Sequence, residues 1–596
     1  MCGIVGEMKY GLLTAHGIGA LSRVERANQR QYHRGPDSYG LYQLGNLTLG
    51  HTRLKIYDLS DKAAQPLFDH ELGLALVFNG AIYNFHKLKQ ELQAIGYRFV
   101  SNSDTEVILK AYHAWGIASI SRLQGMFAFA IWERQSSKLV LARDRLGIKP
   151  LYYSATNDSF RFASTLPALL EFDNIDTSIN SLALQYYLTF HAVPEPLTIL
   201  KGIQKLAPGN IISIHINGRI EQHSYWQLHF NDDYADHRDI DNLWITSTYK
   251  TLHQVIKKQF TADVPIGILL SGGIDSSLIV AIASSITKQK IKTFSIGFES
   301  TEKEKGDEFY YSDIVAGKFN TQHQKIFINN NQLIDSLDEC VKSMSEPMPS
   351  HDNIGFFLLA KEVAKQVKVV LSGQGADEIF AGYHWIQKFA NLSNTKNSFD
   401  IYRANVFDMN YQEYCKTVTE KWRIDDYAST YILNAFKNNG SSTFVDNALQ
   451  VDATFALSNG PLGRVDNMTM ASSLEARVPF LDEELIELAS IMPLKYKLAN
   501  GGKNILKQLG KKLLPHEVVC RPKGYFPVPA LKCLQSPIKN LLNDILSPQQ
   551  INKRGIFNSA VIKDLLSNSA GTLTPFGASK LWQIGLLEYW LQKQGL

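Results

Sequence analysis

The sequence predicts two unlike domains in tandem: a layered α+β domain, then an α/β parallel-sheet domain with a helical C-terminal part. Three observations predict this. A chain of 596 residues is too long for one hydrophobic core. Short alternating apolar runs crowd the first 165 residues, the period of half-buried strands. After residue 240 buried strands and helices alternate, the pattern of a parallel sheet.

Taken in order, "LTLGHTRLKIYDL", "LALVFNGAIYN", "MFAFAIWE", "KLVLARD", "PLYYSA" and "FRFAS" read as strands. Two helices interrupt them. "NFHKLKQELQAIG" stops at Gly96, and "SDTEVILKAYHAWG" has a Ser/Asp capping start and stops at Gly116. Residues 190–212 collect prolines and glycines and place a boundary, giving domains 2–205 and 206–596. Beyond it, "TSTYKTLHQVIKKQF" and "SLIVAIASSITK" read as helices and "VPIGILL", "KTFSIGF" and "KVVLSG" as strands. From 400 onward the pattern is mostly helical, without internal repeats.

The composition excludes several classes. Hydrophobic residues at 45% and charged residues at 20% are ordinary for a soluble globular chain. The net charge of +4 comes without a Lys/Arg run, so no nucleic-acid partner is expected. No apolar run approaches the roughly 18 residues of a membrane span, so no membrane partner is expected either. The five cysteines (2, 340, 415, 520, 533) show no CxxC or Cys/His metal spacing, which fits a reduced cytoplasmic setting.

Three motifs carry chemistry. The chain opens "MCGIVGEMKY". With Met1 removed, Cys2 holds a thiol nucleophile and a free α-amine of near-neutral pKa, its own base. At "ILLSGGIDSS" (268–277) a buried strand runs through Leu270, Ser271, Gly272 and Gly273 into a helix. The amides of such a turn, with the helix N-terminus, cradle an anion. Asp275 stands where it can hold Mg²⁺, and Ser276 adds a hydroxyl. The GxxxxGK[ST] loop is absent, and the stretch resembles instead the loop of enzymes that split ATP into AMP and pyrophosphate. At "VVLSGQGADEIFAGY" (369–383) a second strand ends in small residues before Asp377, which is expected to share the metal with Asp275.

These motifs are joined by "HRGPDSYG" (33–40), "GHTRLKIYDLS" (50–60), "FNGAIYN" (78–84), "SDTEVILKAY" (103–112), "GMFAFAIWE" (125–133) and "ARDRLGIKPLYY" (142–153). In this order they resemble the glutamine-dependent asparagine synthetase family over nearly the whole chain. The resemblance implies an N-terminal-nucleophile hydrolase sandwich (αββα), acting as a glutaminase, joined to an ATP-pyrophosphatase-type synthetase domain. It implies that Cys2 attacks the glutamine amide and that Asn79 and the Gly80 N–H form the oxyanion pair. Arg53 matches the partner of the glutamine α-carboxylate, and Asp104 that of the α-amine. Ser271, Gly272, Gly273, Asp275 and Ser276 match the ATP loop, with Leu270 before it. Ile296, Ser372 and Gly373 match further nucleotide contacts. Lys523 in "RPKGYFP" matches a basic position that would neutralise the phosphates in the transition state, and "LEARVPFLD" (474–482) a packing element near the site. Ammonia left in water would protonate, so a channel between the sites is expected.

The chain departs from the family in two places. Ala81 stands where many members have glutamate, removing one acceptor for the glutamine amine. "SGQGADE" has Gln374 where many members have a glutamate that takes a proton from ammonia, which an amide cannot do at neutral pH. His351, Asp352, Glu346 or a released phosphate would have to act instead. "FASTLPALL", "LTFHAVPEP", "SEPMPSHDNIGFFLLAKEV" and "SGQGADEIFAGYHW" resemble the N-acetylglutaminylglutamine amidotransferase branch, whose product is an osmoprotectant dipeptide amide. That branch implies an acceptor pocket near 346–353 and 374–385, with Asp352 and Gln374 contacting the acceptor. Asparagine synthetase and sugar-acid amidotransferase remain alternatives, and a non-catalytic glutamine or nucleotide sensor a remote one. Glutamine and a carboxylate acceptor are the expected partners, ATP and Mg²⁺ the expected cofactors, with self-association into a homodimer left open.

Overall fold

The computed structural model describes the chain except residues 1, 12–16, 231–240, 302–304, 394, 439–442, 523, 525–527, 533, 535, 569–572 and 576–577. Two six-stranded antiparallel sheets form the first unit. One has the order β10-β8-β9-β1-β3-β2: β1 (Cys2–Lys9), β2 (Ser38–Leu44), β3 (Leu47–Arg53), β8 (Tyr152–Ala155), β9 (Ser159–Ala163) and β10 (Gln204–Lys205). The other has the order β12-β11-β7-β6-β5-β4: β4 (Leu67–Asp69), β5 (Leu74–Ile82), β6 (Gly125–Glu133), β7 (Lys138–Arg143), β11 (Asn210–His215) and β12 (Ile220–Ser224). Their inner faces share one apolar core, with Ile4, Met8 and Leu49 against Val77, Ala130 and Leu141. Helices Phe85–Ala94 and Asp104–Trp115 cover the outer face of the second sheet through Leu88, Val107 and Ile108. Helix Gly17–Arg30 covers the first through Val24 and Ala27. This is the expected αββα sandwich.

The second unit is built on a five-stranded parallel sheet, β15-β14-β13-β16-β17. Its strands are β13 (Ile266–Leu269), β14 (Lys292–Phe298), β15 (Gln322–Ile328), β16 (Val369–Leu371) and β17 (Glu475–Arg477). Helices follow the strands, and the chain from Lys396 onward is mostly helical. The expected parallel sheet with a helical C-terminal part is present.

The break expected at 205/206 falls inside an interleaved stretch. Helix Ser181–Phe190 packs on the second unit: the Tyr187 hydroxyl donates to the Gln583 carbonyl at 2.7 Å, and the Gln185 amide to that of Asp425 at 2.9 Å. The chain then returns, and β11 and β12 complete the second sheet of the first unit. The units also share a small core in which Leu54, Ile56, Ala81 and Met126 meet Val369 and Met470.

Candidate active sites

Cys2 begins β1 directly opposite Arg53, the last residue of β3, and is buried. Its backbone nitrogen donates to Asn79 Oδ1 at 3.0 Å. Asn79 is fully buried on β5, and its Nδ2 has no hydrogen-bond partner. A buried amide donor without an acceptor is costly unless a ligand completes it. Gly80, next along, has φ +157°, and a Cβ there would stand 2.1 Å from the Met126 carbonyl, so only glycine fits. Burial pushes the Cys2 thiol up, while the N-terminal amine, an N–H at Leu54 and Arg53 pull it down.

The loop after β3 wraps the Arg53 guanidinium. Its Nη1 donates to the Ser60 carbonyl at 3.0 Å, and its Nη2 to those of Tyr57 and Asp58 at 3.1 and 2.6 Å. Asp104 opens helix Asp104–Trp115 behind the Ser103 cap and accepts the Ile82 N–H at 3.1 Å. Burial raises its pKa to about 6. A thiol, a spare amide donor, a guanidinium and a carboxylate thus belong to one end of the sandwich, a set able to attack an amide whose substrate carries both charges.

The second constellation surrounds the carboxyl ends of β13 and β16, where parallel sheets bind ligands. Leu270, Ser271, Gly273, Asp275, Ser276, Ile296, Ser372, Gly373, Gln374 and Asp377 line one cavity of about 370 Å³. The Ser271 hydroxyl accepts the Gly273 N–H at 3.2 Å and meets that of Ser276 at 3.2 Å, closing the turn. Gly272 has φ +71°, and a Cβ there would stand 2.6 Å from the Ser312 nitrogen. Asp275 and Asp377, the pair expected to share a metal, both pair with Lys503: its Nζ is 2.6 Å from Asp275 Oδ2 and 2.9 Å from Asp377 Oδ2. Burial alone would lower the Lys503 pKa, and the two carboxylates overcome this and raise it. Lys503 was not readable from sequence, because its partners lie far away along the chain. Lys523 lies outside the described residues.

A larger cavity of about 650 Å³ adjoins the first, sharing the lining residues Asp352, Tyr383 and Arg464. It is lined by all of 346–353 together with Glu378 and Tyr383–Trp385. Gln374 lines the smaller cavity. Asp352 accepts from Arg464 Nη1 at 3.0 Å. Two ion pairs line its other side, Arg143–Glu195 at 3.2 Å and Lys205–Glu346 at 2.9 Å. Burial raises Asp452 to about 8 and Glu378 above the usual carboxylate range, and lowers His351 to about 4. The rings of Tyr383 and Trp385 stack at 4.1 Å on its wall.

Sequence reasoning also missed the joint between the units. Arg34, in the quoted "HRGPDSYG", donates to the Cys2 carbonyl at 3.1 Å and pairs with Asp466 at 2.9 Å, which also takes Lys149 at 3.2 Å. All three side chains are buried. Among the described residues no group of three or more His, Cys, Asp or Glu is placed to hold a metal, and no described helix is long and apolar enough to cross a membrane.

Comparison with known proteins agrees with this two-site plan. Residues 1–226 match the glutamine amidotransferase domain model, and residues 248–592 the asparagine synthase model. Asparagine synthetase [glutamine-hydrolyzing] 1 of Bacillus subtilis (strain 168) is 31% identical, with 99% of this chain and 96% of that protein covered. Asparagine synthetase [glutamine-hydrolyzing] 3 of the same strain is 28% identical over 93% of each. Amidase chry2 of Gibberella zeae is 25% identical, covering 96% of this chain and 95% of its own. With a nucleophile end, a nucleotide-type loop and relatives matched end to end, the chain belongs to the glutamine-hydrolysing asparagine synthetase family and is an ATP-using carbon–nitrogen ligase of the glutamine amidotransferase kind.

Proposed function

We propose that the chain hydrolyses glutamine at Cys2 and uses the ammonia to amidate the carboxylate of N-acetylglutaminylglutamine, giving the osmoprotectant dipeptide amide in the cytoplasm. The observation that carries the acceptor is the cavity of about 650 Å³ opening beside the nucleotide loop. That volume suits a drug-sized ligand rather than a single small amino acid. The state of its acids supports the same reading. Glu195 and Glu346 face Arg143 and Lys205, and buried Asp452, at about 8, holds a proton at neutral pH. A lining of paired charges and the protonated Asp452 offers little to an α-ammonium and much to amide carbonyls.

The residues act as follows on this reading. The α-amine of Cys2 takes the thiol proton, and the thiolate adds to the glutamine amide carbon. The amine returns the proton as the C–N bond breaks and ammonia leaves, and water then releases glutamate from the thioester. Asn79 Nδ2 and the Gly80 N–H receive the charge that develops on oxygen. Arg53 holds the α-carboxylate and Asp104 the α-ammonium, without a second carboxylate at Ala81. In the other site Leu270, Ile296, Ser372 and Gly373 contact the nucleotide, while the amides of Ser271–Gly273 and the Ser276 hydroxyl cradle phosphate. The acceptor carboxylate attacks the α-phosphorus, pyrophosphate leaves, and ammonia displaces AMP from the acyl-adenylate. Lys503 and Lys523 neutralise phosphate charge. Asp275 and Asp377 already share one cation, so the donor set fits Mg²⁺, which when bound would offset the charge of the polyphosphate. Gln374 donates and accepts hydrogen bonds with acceptor amides, which a glutamate could not do. The proton that the attacking ammonia loses goes to His351, Asp352, Glu346 or the released pyrophosphate.

A second reading, transfer to aspartate, is favoured by the names of the relatives. The two separate cleanly. With saturating ammonium, ATP and Mg²⁺, pyrophosphate release is measured with N-acetylglutaminylglutamine or with aspartate. Release with the dipeptide alone supports the proposal, and release with aspartate alone replaces it. Gln374→Glu is expected to move preference toward aspartate or abolish release, and an unchanged preference removes Gln374 from the specificity argument.

A further inference from the structure

We propose that Arg477, on the edge strand of the synthetase sheet, is a positioning residue for glutamine that couples glutamine binding to the nucleotide loop. This rests on the seating of the glutamine α-carboxylate at Arg53. Arg477 is fully buried, and its guanidinium is fixed from several sides. Nε donates to Glu475 Oε1 at 2.7 Å, and Nη1 donates to the carbonyls of Gln259 and Thr261 at 2.6 and 2.8 Å. The guanidinium also lies over the rings of Tyr57 and Tyr83, at 5.4 and 5.8 Å.

Both tyrosines belong to the other unit, and both adjoin the glutamine residues. The Tyr57 carbonyl accepts from Arg53 Nη2 at 3.1 Å. Tyr83 follows Ile82, whose N–H is held by Asp104. The Tyr57 hydroxyl donates at 2.8 Å to the Thr261 carbonyl that Arg477 also engages. The Asp58 N–H donates to Asp263 Oδ2 at 2.8 Å. The loop that wraps Arg53 is therefore held from the synthetase side.

The main chain of the same residue reaches the nucleotide loop. β16 and β17 pair through Leu371 and Arg477, and the Arg477 carbonyl accepts the Ser372 N–H at 2.9 Å. Ser372 and Gly373 line the smaller cavity. One residue thus touches the glutamine loop with its side chain and the nucleotide loop with its backbone. Arg477 Nη2 is buried without a hydrogen-bond partner. A spare donor on a buried cation costs stability in a single arrangement and gains an acceptor in a second one. Filling of the nucleotide cavity shifts Ser372, moves the end of β17, and resets the cation beneath Tyr57. By linkage the effect is reciprocal: nucleotide tightens glutamine and glutamine tightens nucleotide.

The test uses the full chain with Met1 removed. Glutamate release is measured against glutamine concentration with and without α,β-methylene-ATP and Mg²⁺, and binding of that nucleotide alone is measured by calorimetry. In the unaltered protein the nucleotide is expected to lower the glutamine KM about tenfold. Arg477→Lys, which loses the planar fork, and Tyr57→Leu, which leaves the Arg477–Glu475 pair intact, are expected to lose that response while binding nucleotide normally. Tyr57→Leu carries the test by itself where Arg477→Lys does not fold. Nucleotide binding and glutamate release falling together would mark a merely structural role and overturn the proposal. So would a KM that ignores nucleotide in the unaltered protein, or variants that respond as it does. Cys2→Ala separates the failures: if glutamate release survives it, the glutamine reading itself is wrong, and if it vanishes while the variants still respond, only the coupling is wrong.

Discussion

The two ends of the molecule treat charge in opposite ways. Around Cys2 a donor is left open: Asn79 Nδ2 has no partner, and Asp104 accepts the Ile82 N–H in a buried position that raises it to about 6. Around the nucleotide loop the carboxylates are already neutralised, with Asp275 and Asp377 held on Lys503. On the proposed reading the first site awaits a ligand that brings its own ammonium and carboxylate. The second must release an internal ammonium from two carboxylates as phosphate and metal arrive. The difference teaches that one constellation keeps a buried donor open for a ligand while the other keeps its charges paired within the protein.

The largest expected effect breaks the open site. Asn79→Ala removes the spare donor, and kcat for glutamate release should fall ~10²–10³-fold. Ammonium-supported pyrophosphate release should remain. A loss of only a few-fold would remove Asn79 from the oxyanion pair.

Next comes the neutralised site. Lys503→Met leaves Asp275 and Asp377 facing each other without their ammonium, at a cost of about 2 kcal/mol. Pyrophosphate release should be lost and Tm should fall. Millimolar Mg²⁺ should then raise the Tm of the variant more than that of the parent, because the two carboxylates have lost the ammonium that offset their charge. An equal Mg²⁺ response in both proteins would show that these carboxylates hold no metal.

The smallest effect sharpens the comparison through pH. The folded pKa of Asp104, about 6, lies above its ordinary value of 3.8, with burial the main cause. The carboxyl therefore binds its proton more tightly when folded. Its contribution to stability is present below about pH 4 and is lost as pH rises through about 6. Asp104→Asn should accordingly have the higher Tm at pH 7.5, with the difference closing toward pH 4. The same variant should raise the glutamine KM, and the parent KM should itself rise as pH falls below about 6. A Tm difference that does not vary with pH would contradict the assignment.

Much of this architecture was legible in the sequence, for physical reasons. Strands such as β5 and β6 alternate or run apolar, and helix Asp104–Trp115 carries its own cap and stop signals. Residues 181–224 were not legible. Helix Ser181–Phe190 is buried from Ala183 to Phe190, so no polar face tells which unit it packs on. β15 and β17 escaped notice because one has exposed and half-buried positions along most of its length and the other spans only three residues. Cys2 and Arg53 meet because the start of β1 pairs with the end of β3, and the turn after β13 sets the direction of Ser271–Gly273, whereas Asn79 and Gly80 lie inside β5 and Ile296 inside β14. Lys503, Arg464 and the Arg34–Asp466–Lys149 joint were hidden, since each depends on a pairing set by tertiary packing alone.

The most direct test of the account follows one nitrogen atom. Protein with Met1 removed is given ATP, Mg²⁺, N-acetylglutaminylglutamine, aspartate and glutamine labelled with ¹⁵N at the amide, and the products are weighed by mass spectrometry beside those of a Cys2→Ala variant. The account predicts labelled dipeptide amide from the unaltered protein. From the variant it predicts no label out of glutamine but full labelling when ¹⁵N-ammonium is supplied. Label arriving from glutamine in the variant would contradict the role of Cys2, and label entering aspartate rather than the dipeptide would contradict the acceptor.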